Sequence, residues 1–235
     1  MRSIKTTTAL IIFYIFITTL AHAKIAEEHL NSGYDKVEQK DYRGAIQDFN
    51  KAIELKPDYA KAYFNRGIAK ANLQDYKGAI QDYNKAVEYN PNYVNAYFGR
   101  GNAKAYIQDY KGAIQDFNKA VELNPDLYKA YYNRGNAKDD LKDYKEAIQD
   151  FTKAIELKPD YAKAYFNRGF AKAKLQDYRE ALQDYNKAIE LNPDYAKAYV
   201  NRGLAKANLQ DYRGAIQDFT KAIELDPDLD KTYHY

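Results

Sequence analysis

The sequence predicts an all-α protein, a stack of six helix–turn–helix units of 34 residues, and three observations carry that prediction. Pro57, Pro91, Pro125, Pro159, Pro193 and Pro227 are the only prolines, each 34 residues from the next. Gly33, Gly67, Gly101, Gly135, Gly169 and Gly203 keep the same step, and so do Ala45, Ala79, Ala113, Ala147, Ala181 and Ala215. A period shared by three residue types is the signature of a stacked repeat. The units run over 26–59, 60–93, 94–127, 128–161, 162–195 and 196–229, with 230–235 as the truncated start of a seventh helix. Residues 24–235 are therefore expected to form one repeat array.

Each unit reads as two helices. In the second, Tyr63, Arg66, Gly67 and Lys70 lie on one stripe, and the pattern breaks at Gln74-Asp75. Asp75 suits an N-cap, where its carboxylate accepts from the free N–H groups of the next turn. A Glu three residues after Asp143 and Asp177 (Glu146, Glu180) predicts the stronger capping box at those two starts. Ala79, Ile80, Tyr83, Ala86 and Val87 then form an apolar face at helical spacing, and Pro91 ends the helix. Gly67 and Ala79 leave room for two helices to approach, with Tyr63 and Tyr83 expected to fill the space beside them. One such hairpin cannot bury both of its faces, so neighbours must complete the core.

Upstream of the array, Arg2 and Lys5 precede an apolar run, Ala9–Leu20, and Ala21-His22-Ala23 fits a small-x-small cleavage site. As a helix the run spans roughly 18 Å, against the roughly 30 Å of a bilayer core. Residues 1–23 are therefore expected to be a cleavable signal peptide for export to the periplasm or beyond, rather than an anchor or a core helix. Without them, 34 basic and 33 acidic side chains remain. A balance so near neutrality gives no electrostatic case for nucleic acid. Cysteine is absent, which excludes disulfides and thiol chemistry.

The second unit also carries Tyr63-x2-Arg66-Gly67-x2-Lys70, Ala79-x3-Tyr83 and Pro91, and the other five carry close variants. The pattern resembles the tetratricopeptide repeat, W-x2-L-G-x2-Y, A-x3-F, P. Three departures recur: Tyr for the Trp, Arg for the Leu and Lys for the second Tyr. The resemblance implies a right-handed superhelical α-solenoid whose first helices line a concave groove.

Arg66, Arg100, Arg134, Arg168 and Arg202 recur with Asp48, Asp82, Asp116, Asp150, Asp184 and Asp218. They read as ion pairs between helices, within one repeat or across to the preceding one, with one terminal Asp left over. The competing reading has the arginines facing a ligand.

On the groove stripe stand Lys61, Lys129, Lys163 and Lys197. One turn on come Asn31, Asn65, Asn133, Asn167 and Asn201, with Gly99 as the gap and Asn102 and Asn136 close by; Phe64, Phe98, Tyr132 and Phe166 stand beside them. An Asn amide offers an acceptor and two donors, matching the backbone of an extended peptide. The row is similar to the asparagine ladder of the O-linked N-acetylglucosamine transferase. The lysines favour acidic ligands. The competing reading has these Asn residues solvated or capping neighbours. The carboxylate clamp of chaperone-binding relatives is only half present.

His22, His29 and His234 are scattered, and no HExxH, nucleophile elbow or phosphate loop occurs. Asp139, Asp140 and Asp143 read as a solvated helix end, at most a weak cation site. The expectation is therefore a non-enzymatic scaffold without cofactor or metal, binding a protein or peptide segment. Self-assembly end to end and binding of cell-wall glycan are the alternatives.

Overall fold

The structure is a computed structural model that describes residues 2–228; of residues 2–17 and 19 it describes the backbone alone. Among the described residues there are twelve helices and no strand. They are α1 (Arg2–Glu38), α2 (Tyr42–Leu55), α3 (Ala60–Asn72), α4 (Tyr76–Tyr89), α5 (Val94–Tyr106) and α6 (Tyr110–Leu123), followed by α7 (Tyr128–Asp140), α8 (Tyr144–Leu157), α9 (Ala162–Lys174), α10 (Tyr178–Leu191), α11 (Ala196–Asn208) and α12 (Tyr212–Leu225). Two compact units divide the chain, 1–109 and 110–235. In the first, each helix from α1 to α5 packs on the next; in the second, α6 to α12 do the same. This is the all-α solenoid order that the 34-residue period predicts.

The periodic glycines are set by one ring contact. A Cβ on Gly67 would stand 2.7 Å from the Tyr83 ring, and one on Gly135 would stand 2.7 Å from the Phe151 ring. Both rings are buried, so no side chain fits between the two helices at that level. Tyr63 does something else. Its ring meets Tyr89 at 5.7 Å and lies 5.3 Å from the Arg66 guanidinium, so it does not fill space beside Gly67.

Each hairpin turn contains a residue in the left-handed region: Lys40, Gln74, Gln108, Lys142, Gln176 and Gln210, with φ between 62° and 66°. Gln74 N–H donates to the Ala71 carbonyl and Asp75 N–H to the Lys70 carbonyl, both at 2.9 Å. These two bonds form a Schellman closure, which usually places Gly at this position. A side chain there costs about 1 kcal/mol.

The N-caps correct one expectation. Asp41, Asp75 and Asp211 accept from the N–H of Gly44, Gly78 and Gly214, whereas Asp143 and Asp177 make no capping bond with their side chains. The starts with a Glu three residues on are the ones that lose the bond. The reason is steric: a Cβ on Gly44 or Gly78 would lie 2.1 Å from the capping carboxylate oxygen. The carboxylate folds over a residue that has no side chain, and Glu146 or Glu180 closes that space.

Helix α1 runs unbroken from the expected export segment into the first repeat. Leu20 and Ile25 are exposed, and complete burial begins at Ala26. No helix among the described residues is long and apolar enough to cross a membrane. The seventh-helix expectation at 230–235 lies outside the described residues.

Candidate functional site

The recurring charges sit between the helices of one hairpin. Arg66 Nε donates to Asp82 at 2.9 Å and Nη2 at 2.6 Å, a fork on one carboxylate, while Lys70 Nζ reaches the same group at 2.8 Å. Asp82 is 3% exposed. Arg134 and Lys138 hold Asp150, Arg168 and Lys172 hold Asp184, and Arg202 and Lys206 hold Asp218 in the same way. At Asp218 burial pushes the carboxyl up, but hydrogen bonds from Arg202 and Lys206 outweigh it and hold the group below the usual range. The remaining Arg66 nitrogen, Nη1, crosses to Asn50 of the preceding repeat at 2.6 Å. Each of these carboxylates is thus held within its own repeat, and the guanidinium also reaches the repeat before. The Asp expected to be left over is not: Asp48 takes Lys36 at 2.6 Å and Ser32 at 2.7 Å.

The opposite stripe forms the groove, and its residues divide by how far packing uses them. In the first unit Lys61 is exposed, but Asn65 is only 7% exposed. Its Nδ2 donates to the Tyr34 hydroxyl at 2.9 Å and to the Lys61 carbonyl at 2.6 Å. Phe64 is half-buried against Tyr83 and Tyr93, and Phe98 is half-buried as well. Gly99 interrupts the row because a Cβ there would lie 2.9 Å from Tyr83 Cζ. Beside it a pocket of about 270 Å³ is lined by Tyr76, Tyr83, Asn102 and Tyr106. The Tyr76 and Tyr106 rings stack at 4.6 Å.

In the second unit Lys129, Lys163 and Lys197 are exposed, and Asn133 and Asn136 are half-buried. Asn167 Nδ2 donates to the Tyr132 hydroxyl at 3.0 Å and to Asn136 Oδ1 at 2.7 Å. Tyr132 packs on Phe151 and Tyr161, and Phe166 packs on Tyr185 and Tyr195. Asn201 Nδ2 donates only to the carbonyl of Lys197, one turn earlier, at 2.9 Å. Between α9 and α11 opens a groove of about 520 Å³, with Phe166, Phe170, Leu204, Asn201 and Lys197 on its walls.

A family model described as tetratricopeptide repeat matches residues 94–127, 128–161, 162–195 and 196–229, and a second, described as TPR repeat, matches 33–74 and 70–107. The chain belongs to the tetratricopeptide-repeat family. No curated protein matches it significantly. Among solved structures, a crystal structure of MamA protein is 28% identical with a TM-score of 0.68, over 75% of this chain and 96% of that one. A structure of YrrB, described as a TPR protein with an unusual peptide-binding site, is 29% identical with a TM-score of 0.67, over 77% and 93%. PilF of Pseudomonas aeruginosa shares the fold at 18% identity, with a TM-score of 0.75 over 88% and 94%.

The three departures from the tetratricopeptide-repeat pattern make one unit of structure. Tyr in the Trp position lies beside the guanidinium at 5.2–5.5 Å in five repeats, Arg in the Leu position forks on the Asp, and Lys in the Tyr position binds the same Asp. A guanidinium flanked by a ring and a carboxylate replaces an apolar contact.

Sequence reasoning missed part of the groove wall: Phe170, Leu204 and Asn208 from the stripe, and Asp139 and Lys174 from the helix ends. Asp139 corrects the reading of a solvated acidic cluster. It is only partly exposed, and its Oδ1 is buried without a hydrogen-bond partner. Burial and the Asp140 charge raise its carboxyl to about 6, against a smaller lowering by Lys174. No group of three His, Cys, Asp or Glu that could hold a metal occurs among the described residues. The signal in the sequence was a broken period, since Ala71, Ala105, Ala173 and Ala207 occupy this position in other repeats.

Proposed function

We propose that this protein is an exported binding scaffold that holds an extended segment of a partner protein against α7, α9 and α11. The groove between α9 and α11 carries that reading, because it joins apolar walls from Phe166, Phe170 and Leu204 to a polar rim from Lys197 and Asn201. Family membership supports a role in protein interaction. The YrrB likeness supports a peptide as the ligand form. The exposed lysines at 129, 163 and 197 favour acidic residues where the segment crosses the rim. The role is binding rather than catalysis.

Asparagines contribute unequally in this reading. Asn65 donates to Tyr34 of the preceding repeat and to the Lys61 carbonyl of its own helix, and Asn167 donates twice to the preceding repeat. Both therefore serve the wall, whereas Asn201 stands on the open face. Substituting Asn167 would therefore mix stability with binding. The cleaner test is Phe170→Ala with Leu204→Ala, followed by capture of proteins from the exported fraction. Retained capture by a folded double variant sinks the groove reading.

Export is tested by the N-terminus of protein recovered outside the cytosol: Lys24 is expected at its start, and Met1 would overturn cleavage. Self-association is a second reading, resting on Tyr212, Ile216 and Ile223 of α12, which are 62–65% exposed. Light scattering across concentration checks it, and a mass constant at one chain rejects it.

A further inference from the structure

The α9–α11 groove has one feature that a general peptide grip does not need. Asp139 stands on its floor, at a position where neighbouring repeats carry Ala. Its Oδ1 is shut away from water and accepts no hydrogen bond. A buried acceptor without a donor loses its hydration and gains nothing in return, and the loss is greater when the group is charged. The groove relieves that cost only in small part, through the charge of Lys174. Lys174 Nζ lies over the Phe170 ring at 4.9 Å and forms no ion pair with Asp139 within 4 Å. Asn167 directs its amide donors to Tyr132 and Asn136, Asn201 to the Lys197 carbonyl, and Asn208 to the Leu204 carbonyl. The asparagine amides that line the groove are therefore spent elsewhere, and none of them donates to Asp139. The charged groups facing it are Asp140 on α7, Lys174 on α9 and Lys197 on α11.

We infer that the α9–α11 groove selects a lysine or arginine side chain of the bound segment, with Asp139 as its counter-ion and Phe166, Phe170 and Leu204 holding an apolar side chain beside it. The inference rests on the groove-binding reading above and names the ligand's chemistry. In an extended segment, residues two apart point to the same side. An apolar residue and a basic residue at i and i+2 would then enter the groove together. A cation fits better than a neutral N–H, because it neutralises the carboxylate and is attracted to ring faces, as Lys174 is to Phe170. Acidic residues of the same segment would point outward to the lysine rim.

The test is selection of a phage-displayed random peptide library on the full chain, on Asp139→Ala, and on the Phe170→Ala, Leu204→Ala variant. Asp139→Ala installs the residue that other repeats carry, so it is expected to fold. Peptides chosen by the wild type should be enriched in Lys or Arg two positions from Leu, Ile or Phe, and those chosen by Asp139→Ala should not. The best such peptide should bind Asp139→Ala about tenfold more weakly, while its Gln counterpart changes less than about twofold. Peptides selected without basic enrichment, or equal losses for the Arg and Gln forms, overturn the inference and leave groove binding standing. Identical selection by wild type and the Phe170, Leu204 variant overturns both.

Discussion

Asp150 and Asp139 lie eleven residues apart in one repeat, and the structure treats them in opposite ways. Asp150 recurs in every repeat and is 4% exposed, with Arg134 and Lys138 fixed on its oxygens. Asp139 occurs once, stands on the groove side and has an oxygen that no donor reaches. Burial alone therefore says little about a carboxylate; its partners decide. A buried carboxylate whose period matches its partners belongs to the scaffold. One that breaks the period without partners is an imposed cost, and a bound segment is the natural thing to offset it.

The largest effect should come from turning the first kind into the second. Arg134→Met leaves Asp150 buried with Lys138 alone and should lower stability by about 3 kcal/mol in urea unfolding. An unchanged midpoint would return the arginines to the ligand-facing reading. Next comes Gly135→Ala, whose methyl would meet the Phe151 ring at 2.7 Å. Overpacking of this kind costs about 2 kcal/mol, readable in the same experiment.

Asp139→Asn should move the other way and depend on pH. Its carboxyl is raised from 3.8 to about 6, so the folded state binds the proton more tightly than the unfolded state does. Stability from this group is full below about pH 4 and falls as pH rises through 6. The substitution should therefore stabilise by about 1 kcal/mol at pH 7.5, after allowance for partial exposure, and by much less at pH 4. A gain independent of pH would mean that Asp139 is not an unpaired charge. The smallest effect belongs to a turn far from either aspartate: Gln176→Gly relieves a φ of 65° and should raise stability by about 0.5 kcal/mol.

The features legible in the sequence were those that repetition makes redundant. Six copies of Pro, Gly and Ala set the hairpin register, because packing at each position is the same from unit to unit. The pairing of Arg with Asp was legible for the same reason, but its direction was not. Reaching the repeat before and the carboxylate of its own repeat at once needs three dimensions. The capping boxes at Asp143 and Asp177 do not form because the Asp cap needs open space three residues on, which a Glu side chain occupies and residue order does not display. The asparagine row was visible as a row. Its spent donors at Asn65 and Asn167 were not, since Tyr34, Tyr132 and Asn136 lie about one repeat away in sequence. Asp139 was visible only as an exception, and its acidic neighbours hid it.

The link from each arginine to the repeat before it also sets where the stack breathes. Arg66, Arg134 and Arg202 reach an asparagine there at 2.6–2.7 Å, whereas Arg168 reaches Thr152 at 3.1 Å. The same threonine hydroxyl donates to the carbonyl of Ile148. In a stack whose stability is a sum over neighbouring interfaces, the weakest seam opens first. Amide hydrogens of α8 and α9 along that seam should exchange with solvent faster than their counterparts in α10 and α11, and Thr152→Asn should slow them.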